Sequence, residues 1–179
     1  ARINAYQSAL ETHLNKKFGK GDWIARFDGH RVYLDRDLID SRNKDLYKMQ
    51  ESAAVFLMSQ QGVYLALSAS NLETREYKSG IRKLLQNGHH PGRSGDVLIA
   101  FDPAFIQSSN PNKDITMVEG STHGSGYAYD THVPIVFYGN GIPEGSSSRK
   151  VAVTDISPTL AMMLNLQLPK KRPRRKRPG

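Results

Sequence analysis

The chain has 179 residues, 38% hydrophobic and 23% charged, with 15 Gly and 9 Pro, the composition of an ordinary globular domain. It contains no cysteine, which excludes disulfides, thiolate metal sites and thiol nucleophiles, so any metal must be held by His, Asp, Glu or hydroxyl oxygens. The net charge of +8 is unevenly spread: seven Lys or Arg and no acid fall within residues 169–179, and they account for all but one of the net charges.

In chain order, Ile3, Tyr6, Leu10, Leu14 and Phe18 recur at three- and four-residue spacing and predict an amphipathic helix over residues 2–18. With acidic and basic residues mixed into it, this opening reads as a helix and not as a signal peptide. Gly19 and Gly21 stop the helix. Trp23, Ala25 and Phe27 then alternate with polar residues, Asp28-Gly29 supplies hairpin-turn chemistry, and Val32 and Leu34 alternate on the return. A loop is expected around residues 40–43. Leu46, Met49, Ala53, Phe56 and Leu57 mark a second helix ended by Gly62, residues 63–67 read as a strand, and Tyr77, Ile81, Leu84 and Leu85 form a third helical stripe. Hairpin, helix and strand over residues 22–70 predict a small α+β subdomain.

From Gly95 the texture changes. Asp96-Val-Leu-Ile-Ala-Phe101 and Val133-Pro-Ile-Val-Phe-Tyr138 are nearly continuous apolar runs, the pattern of strands buried on both faces. Ser157-Pro158 reads as an N-cap followed by proline at the first helical position, with Leu160, Met163, Leu164 and Leu168 as the apolar face beyond it. Residues 94–168 therefore read as the edge of a larger α/β sheet. The basic segment 169–179 carries three prolines and no apolar partner and is expected to be disordered, able to contact nucleic acid or an anionic membrane. It has no interleaved aromatics on which bases would stack. No apolar run reaches the roughly 18 residues of a membrane-spanning helix.

Six histidines are the first candidates for chemistry. His13 and His30 fall on a helix face and a turn, where a solvated imidazole is the default. His89 and His90 are adjacent in a loop, and adjacent side chains diverge. His132 precedes an apolar run and reads as a hydrogen-bonded histidine at a strand start. His123 stands apart, because it lies in Glu119-Gly-Ser-Thr-His-Gly-Ser-Gly126. Glycines there let the backbone take unusual dihedrals and let another group approach closely, and ligands favour such loops at the ends of sheet strands.

The stretch Gly120-Ser-Thr-His-Gly-Ser-Gly-Tyr-Ala-Tyr-Asp-Thr-His-Val-Pro-Ile-Val-Phe-Tyr-Gly139 resembles the "TTHGSPY…YDTHVPLLFYG" stretch of PafA-like bacterial alkaline phosphatases, of the alkaline phosphatase superfamily. Residues 151–168 resemble that family's closing "DIAPTLAALLNIQLP" helix, and Arg93-Ser-Gly-Asp-Val97 is similar to its "RSGDV" strand. The resemblance implies an α/β fold in which the chain supplies C-terminal strands and helices of an alkaline-phosphatase-type sheet sandwiched by helices, with a small α+β insertion. The corresponding division is a linking helix at 1–21, the α+β subdomain at 22–93, the C-terminal part of the phosphatase core at 94–168 and the basic tail at 169–179.

The same resemblance implies a hydrolase of phosphate esters, periplasmic or secreted, that uses two zinc ions and a Thr or Ser nucleophile forming a phospho-enzyme. His123 matches the late ligand of one zinc. The nucleophile and the other ligands belong to parts of the family that precede the matched region, so the chain alone is expected to be inactive and to need the missing N-terminal part of the same protein as its partner. Catalytic zinc takes three protein ligands with an open position, which one imidazole does not provide. Thr122 and Ser125 read as loop hydrogen-bonders. The rival readings are a related transferase, type I phosphodiesterase or sulfatase, and a non-catalytic module whose basic tail binds nucleic acid.

Overall fold

The structure, a computed structural model, describes residues 3–105 and 123–167. The basic segment 169–179, Thr122 and the loop leading to it lie outside the described residues. The chain divides into two compact units, residues 1–134 and 135–179.

In the first unit, α1 (Ile3–Phe18) buries Tyr6, Leu10 and Leu14, the stripe expected from the three- and four-residue spacing. A hairpin follows, β1 (Ile24–Phe27) and β2 (Arg31–Leu34), closed by a turn in which Gly29 has φ 84° and Asp28 N–H donates to Arg31 C=O. The alternation expected of β1 fails at Ala25, which is exposed, because the register shifts between Ile24 and Arg26 and places Trp23 and Ile24 side by side in the interior. Ahead of the loop expected around residues 40–43, which is present from Arg42, residues Arg36–Ser41 form a short helix, α2, whose first turn is capped by the Asp35 carboxylate on Leu38 N–H.

Asp45 caps α3 (Leu46–Met58) in the same way through Lys48 N–H, and Met49, Ala53 and Leu57 face the interior. Gly62, at φ 81°, turns the chain into β3 (Val63–Ser68). A Cβ at Gly62 would sit 2.1 Å from the Phe105 ring, so both its dihedral and its surroundings require glycine. Ser68 then caps α4 (Ala69–Thr74), a second short helix too brief to show a stripe, and α5 (Gly80–Gly88) carries Ile81 and Leu85. Tyr77, expected within that helix, precedes it.

The strand β4 (Val97–Phe101) forms as expected but in a different sheet. It lies between β2 and β3 in a four-stranded antiparallel sheet of order β1-β2-β4-β3, pairing Val97 with both Val32 and Ser68. The apolar run was expected at the edge of a larger sheet, but helices on both faces of this antiparallel sheet produce the same pattern. On one face Val32, Val97, Ile99 and Ala66 pack with α1, α3 and Trp23; on the other Leu65, Leu67 and Leu98 pack with Leu72, Ile81 and Leu85. The described residues thus form a mixed α/β fold with seven α-helices and one four-stranded antiparallel sheet.

Residues 133–138 are a second correction. They form no strand, and Val136 and Tyr138 are 81% and 100% exposed. An extended segment becomes a strand only by filling its hydrogen bonds on a neighbour, and none of the described residues pairs with this one. In the second unit, a 3-10 turn (Val153–Asp155) leads into α7 (Ile156–Met163). The helix starts two residues earlier than Ser157-Pro158 suggested, with Asp155 at its cap. Pro158 is thereby the third helical residue, where a missing N–H still leaves no helical bond unmade.

Candidate functional site

His123 lies in the first unit and is exposed, at the head of a short segment that leads into α6 (Ala128–Thr131). Gly124 follows it at φ 103°. Gly126 packs closely against α5, where a Cβ would meet Leu84 at 3.3 Å and Ile81 at 3.4 Å. The segment is tied down by α6 and its approach. Ser125 N–H donates to Asp130 Oδ2 at 2.9 Å, Tyr127 Oη donates to Phe101 C=O at 2.8 Å, and Ala104 N–H donates to Tyr129 Oη at 3.2 Å. The Tyr127 ring stacks on Tyr129 at 5.6 Å and meets Tyr64 edge-on at 6.3 Å. The turn that follows His123 is therefore anchored at the C-terminal end of β4.

Among the described residues, Asp130 is a charged group bonded to this loop. The hydroxyl and amide of Ser125 hold its carboxyl below the ordinary carboxylate range, and the neighbouring His123 adds to the effect. As donors, the described residues offer one exposed imidazole, His123, and a carboxylate, Asp130, that is bonded to the same loop at Ser125. Among the described residues no group of three or more His, Asp or Glu comes together to hold a metal. His123 fits as one ligand of a site and does not complete one.

The other histidines fill structural roles. His13 is not solvated as expected: its Nε2 lies 3.0 Å from Ser52 Oγ and its ring stacks on Phe56 at 4.4 Å. His30 Nδ1 is 3.3 Å from Ile99 C=O. His89 and His90 diverge, with the buried His89 ring bonded to Glu73 at 2.9 Å and His90 turned to Pro91 C=O at 2.8 Å. His132 caps α6 through its backbone, since the strand it was expected to start is not formed.

His13 gives a pH signature. Burial first, then the charges of Lys17 and Lys16, push its imidazole below the usual value of about 6.5. As pH falls through that value the unfolded chain binds the proton before the folded one, so stability drops from neutral pH towards the folded pKa. Glu11, raised by burial, acts in the opposite sense at lower pH, because the folded chain protonates first. The melting temperature of the wild type should therefore fall more steeply than that of His13→Gln between pH 7.5 and 5.5, by roughly a few degrees. Parallel curves would assign His13 no part in the pH response.

The feature that sequence reasoning missed is Asp96. Its buried carboxylate accepts from Leu34 N–H, Arg36 and Gln50 Nε2, each at 2.8 Å, joining β2, α2, α3 and β4. Gly95 at φ 73° allows this, since a Cβ there would sit 2.9 Å from Val32 C=O. The available signal was an acid set directly against an all-apolar strand, which implies a buried and satisfied charge. An open cleft of about 410 Å³ lies beside this residue, lined by Tyr33, Asp35, Arg36 and Asp37 among others. Its lining includes no residue of the His123 loop. The carboxylate at its floor is saturated with donors, so it serves the fold.

Comparison with known proteins agrees with the loop motifs. Alkaline phosphatase PafA of Elizabethkingia meningoseptica is 28% identical over 167 residues, which is 93% of this chain and 29% of that protein. A calcium-transporting ATPase of Myroides odoratus is 28% identical over 165 residues, 92% of this chain and 29% of its own length. Alkaline phosphatase PhoV of Synechococcus elongatus is 29% identical over 140 residues. The crystal structure of wild-type PafA matches with a TM-score of 0.77 and 27% identity, covering 91% of this chain and 30% of that one. The chain is a distant homologue of the alkaline phosphatases. It spans about 29% of the length of the first of these relatives. No known family profile matches it.

Proposed function

We propose that the chain is the C-terminal portion of a zinc-dependent phosphate-ester hydrolase, and that His123 is its one ligand to a two-zinc centre completed by the remainder of the protein. The observation that carries this reading is the placement of His123. It is an exposed imidazole followed by Gly124 and by a turn anchored at the end of a buried strand, in a chain homologous over nearly its whole length to alkaline phosphatases. When bound, two zinc ions would clamp the attacking and leaving oxygens of the phosphoryl group. This chain's part is to hold one imidazole at a fixed place. The Thr or Ser nucleophile and the substrate-binding groups lie elsewhere in the complete protein, as does the choice between monoester, diester and sulfate ester.

The same proposal makes the complete protein periplasmic or secreted and keeps the functional division at 1–21, 22–93, 94–168 and 169–179, with β4 of the third segment completing the sheet of the second. Among the described residues no helix is long and apolar enough to cross a membrane.

The isolated chain is expected not to hydrolyse an activated aryl phosphate with zinc present, because no serine or threonine in it is activated by a complete metal site. In the complete protein, His123→Ala should lower bound zinc and reduce phosphatase turnover by at least 100-fold, since a catalytic site normally has only three protein ligands to lose. Zinc content by atomic absorption and aryl phosphate hydrolysis check both. Turnover by the isolated chain that survives repurification and is abolished by His123→Ala would overturn the reading, as would full zinc content in that variant of the complete protein.

A further inference from the structure

A ligand on a glycine-flanked loop is not aimed by its own backbone. Gly124 follows at φ 103°, in the left-handed region, and among the described residues no heavy atom lies within 4 Å of where its Cβ would be. What the described residues do supply is a set of bonds that hold the loop. Tyr127 and Tyr129 fix α6 to the end of β4, through Phe101 C=O and Ala104 N–H. The turn itself is closed by Asp130, Thr131 and His132 N–H bonds to Tyr127 and Ala128 C=O, at 2.9–3.0 Å. Asp130 projects from this anchored turn back to the loop, where its Oδ2 accepts from Ser125 N–H at 2.9 Å.

We propose that Asp130 is a positioning residue for His123, fixing the loop through Ser125 and directing the imidazole with its negative charge. The inference rests on the reading of His123 as a metal ligand and names a residue that reading does not need. A metal-bound imidazole is oriented, and made more basic, by an acceptor for its other N–H, most often a carboxylate or a backbone carbonyl. Asp130 reaches the loop two residues after His123, at Ser125 N–H, and so brings a carboxylate to the backbone that carries the imidazole. The competing role is a loop tie alone, for which any acceptor would serve Ser125 equally well.

Two substitutions in the complete protein separate these roles. Asp130→Asn keeps an acceptor for Ser125 N–H but removes the charge; Asp130→Ala removes both. Zinc affinity is measured by competition with a chromophoric chelator, coordination geometry by the visible spectrum of the cobalt-substituted protein, and apo-protein stability by thermal melting. Asp130→Asn should melt within roughly two degrees of the wild type, yet bind zinc about 10- to 100-fold more weakly and show a shifted cobalt band. Asp130→Ala should lose at least as much affinity. Wild-type affinity and spectrum in Asp130→Asn would overturn the inference, and so would an Asn variant whose apo form melts well below the wild type, since the charge would then serve the fold. His123→Ala is the control. If it lowers zinc affinity while Asp130→Asn does not, the positioning role alone fails; if His123→Ala leaves zinc affinity unchanged, the metal-ligand reading fails and carries this inference with it.

Discussion

Asp96→Ala is expected to cost the first unit about 3–5 kcal/mol, a large share of the stability of any domain this size. The carboxylate is 2% exposed and receives three donors. Two of them, Leu34 N–H and Gln50 Nε2, are buried with it, and each buried donor left unpaired costs about 1–3 kcal/mol. Arg36 is half exposed and would turn to water. Arg36→Ala should accordingly cost about 1 kcal/mol, because Asp96 keeps two of its donors and the lost pair is partly screened. Asp96→Asn should fall between the two, since its amide keeps one acceptor but sets an N–H against one of the remaining donors. Urea melts of the three variants give the order directly. If Asp96→Ala came within 1 kcal/mol of the wild type, or below Arg36→Ala in cost, the network would not be what joins β2, α3 and β4.

What the sequence made legible was local. α1 and α3 were readable because Leu10, Leu14, Met49, Ala53 and Leu57 repeat at helical spacing on a buried face, and the hairpin because Asp28-Gly29 lies between two alternating runs. The helices α2 and α4 were missed for want of length. Six residues show no stripe, and the signals that start them are the single caps Asp35 and Ser68. The partner of a strand is a non-local property. Residues 97–101 and 133–138 are both apolar runs, yet one is central in a sheet and the other is unpaired among the described residues; the one local difference is Pro134, which has no N–H to give a ladder. At the candidate site, the glycines beside His123 were readable and Asp130 was not. Its bond to Ser125 N–H exists only because α6 folds the chain back over five residues. His13 failed for the same reason: Ser52 and Phe56, which desolvate it, are brought by another helix.

The second unit leads to the largest change expected between the isolated chain and the complete protein. None of residues 135–167 is buried, although Leu160, Met162, Met163, Leu164 and Leu166 lie in or just after α7. A helix of eight residues is too short to persist in water on propensity alone, since isolated helices below about 12–15 residues are marginal. Its caps help little: Asp155 Oδ2 accepts from Ala152 N–H and Thr159 Oγ1 donates to Asp155 C=O, both exposed. What holds such a helix in a folded protein is burial of its apolar side chains, each contributing about 1.5–3 kcal/mol when fully covered. The expected result is that amides of residues 156–163 exchange in the isolated chain within roughly tenfold of an unfolded peptide. In the complete protein they should be slowed by at least 1,000-fold, because opening there must expose that surface, and each tenfold corresponds to about 1.4 kcal/mol. The uncovered surface should also make the isolated chain bind a hydrophobic dye and self-associate as its concentration rises. Hydrogen exchange read by mass spectrometry, with light scattering alongside, tests both expectations. Strong protection of residues 156–163 in a dye-silent monomer of the isolated chain would show that this segment finds its cover within the 179 residues, and the reading of the chain as one portion of a larger phosphatase would lose its physical basis.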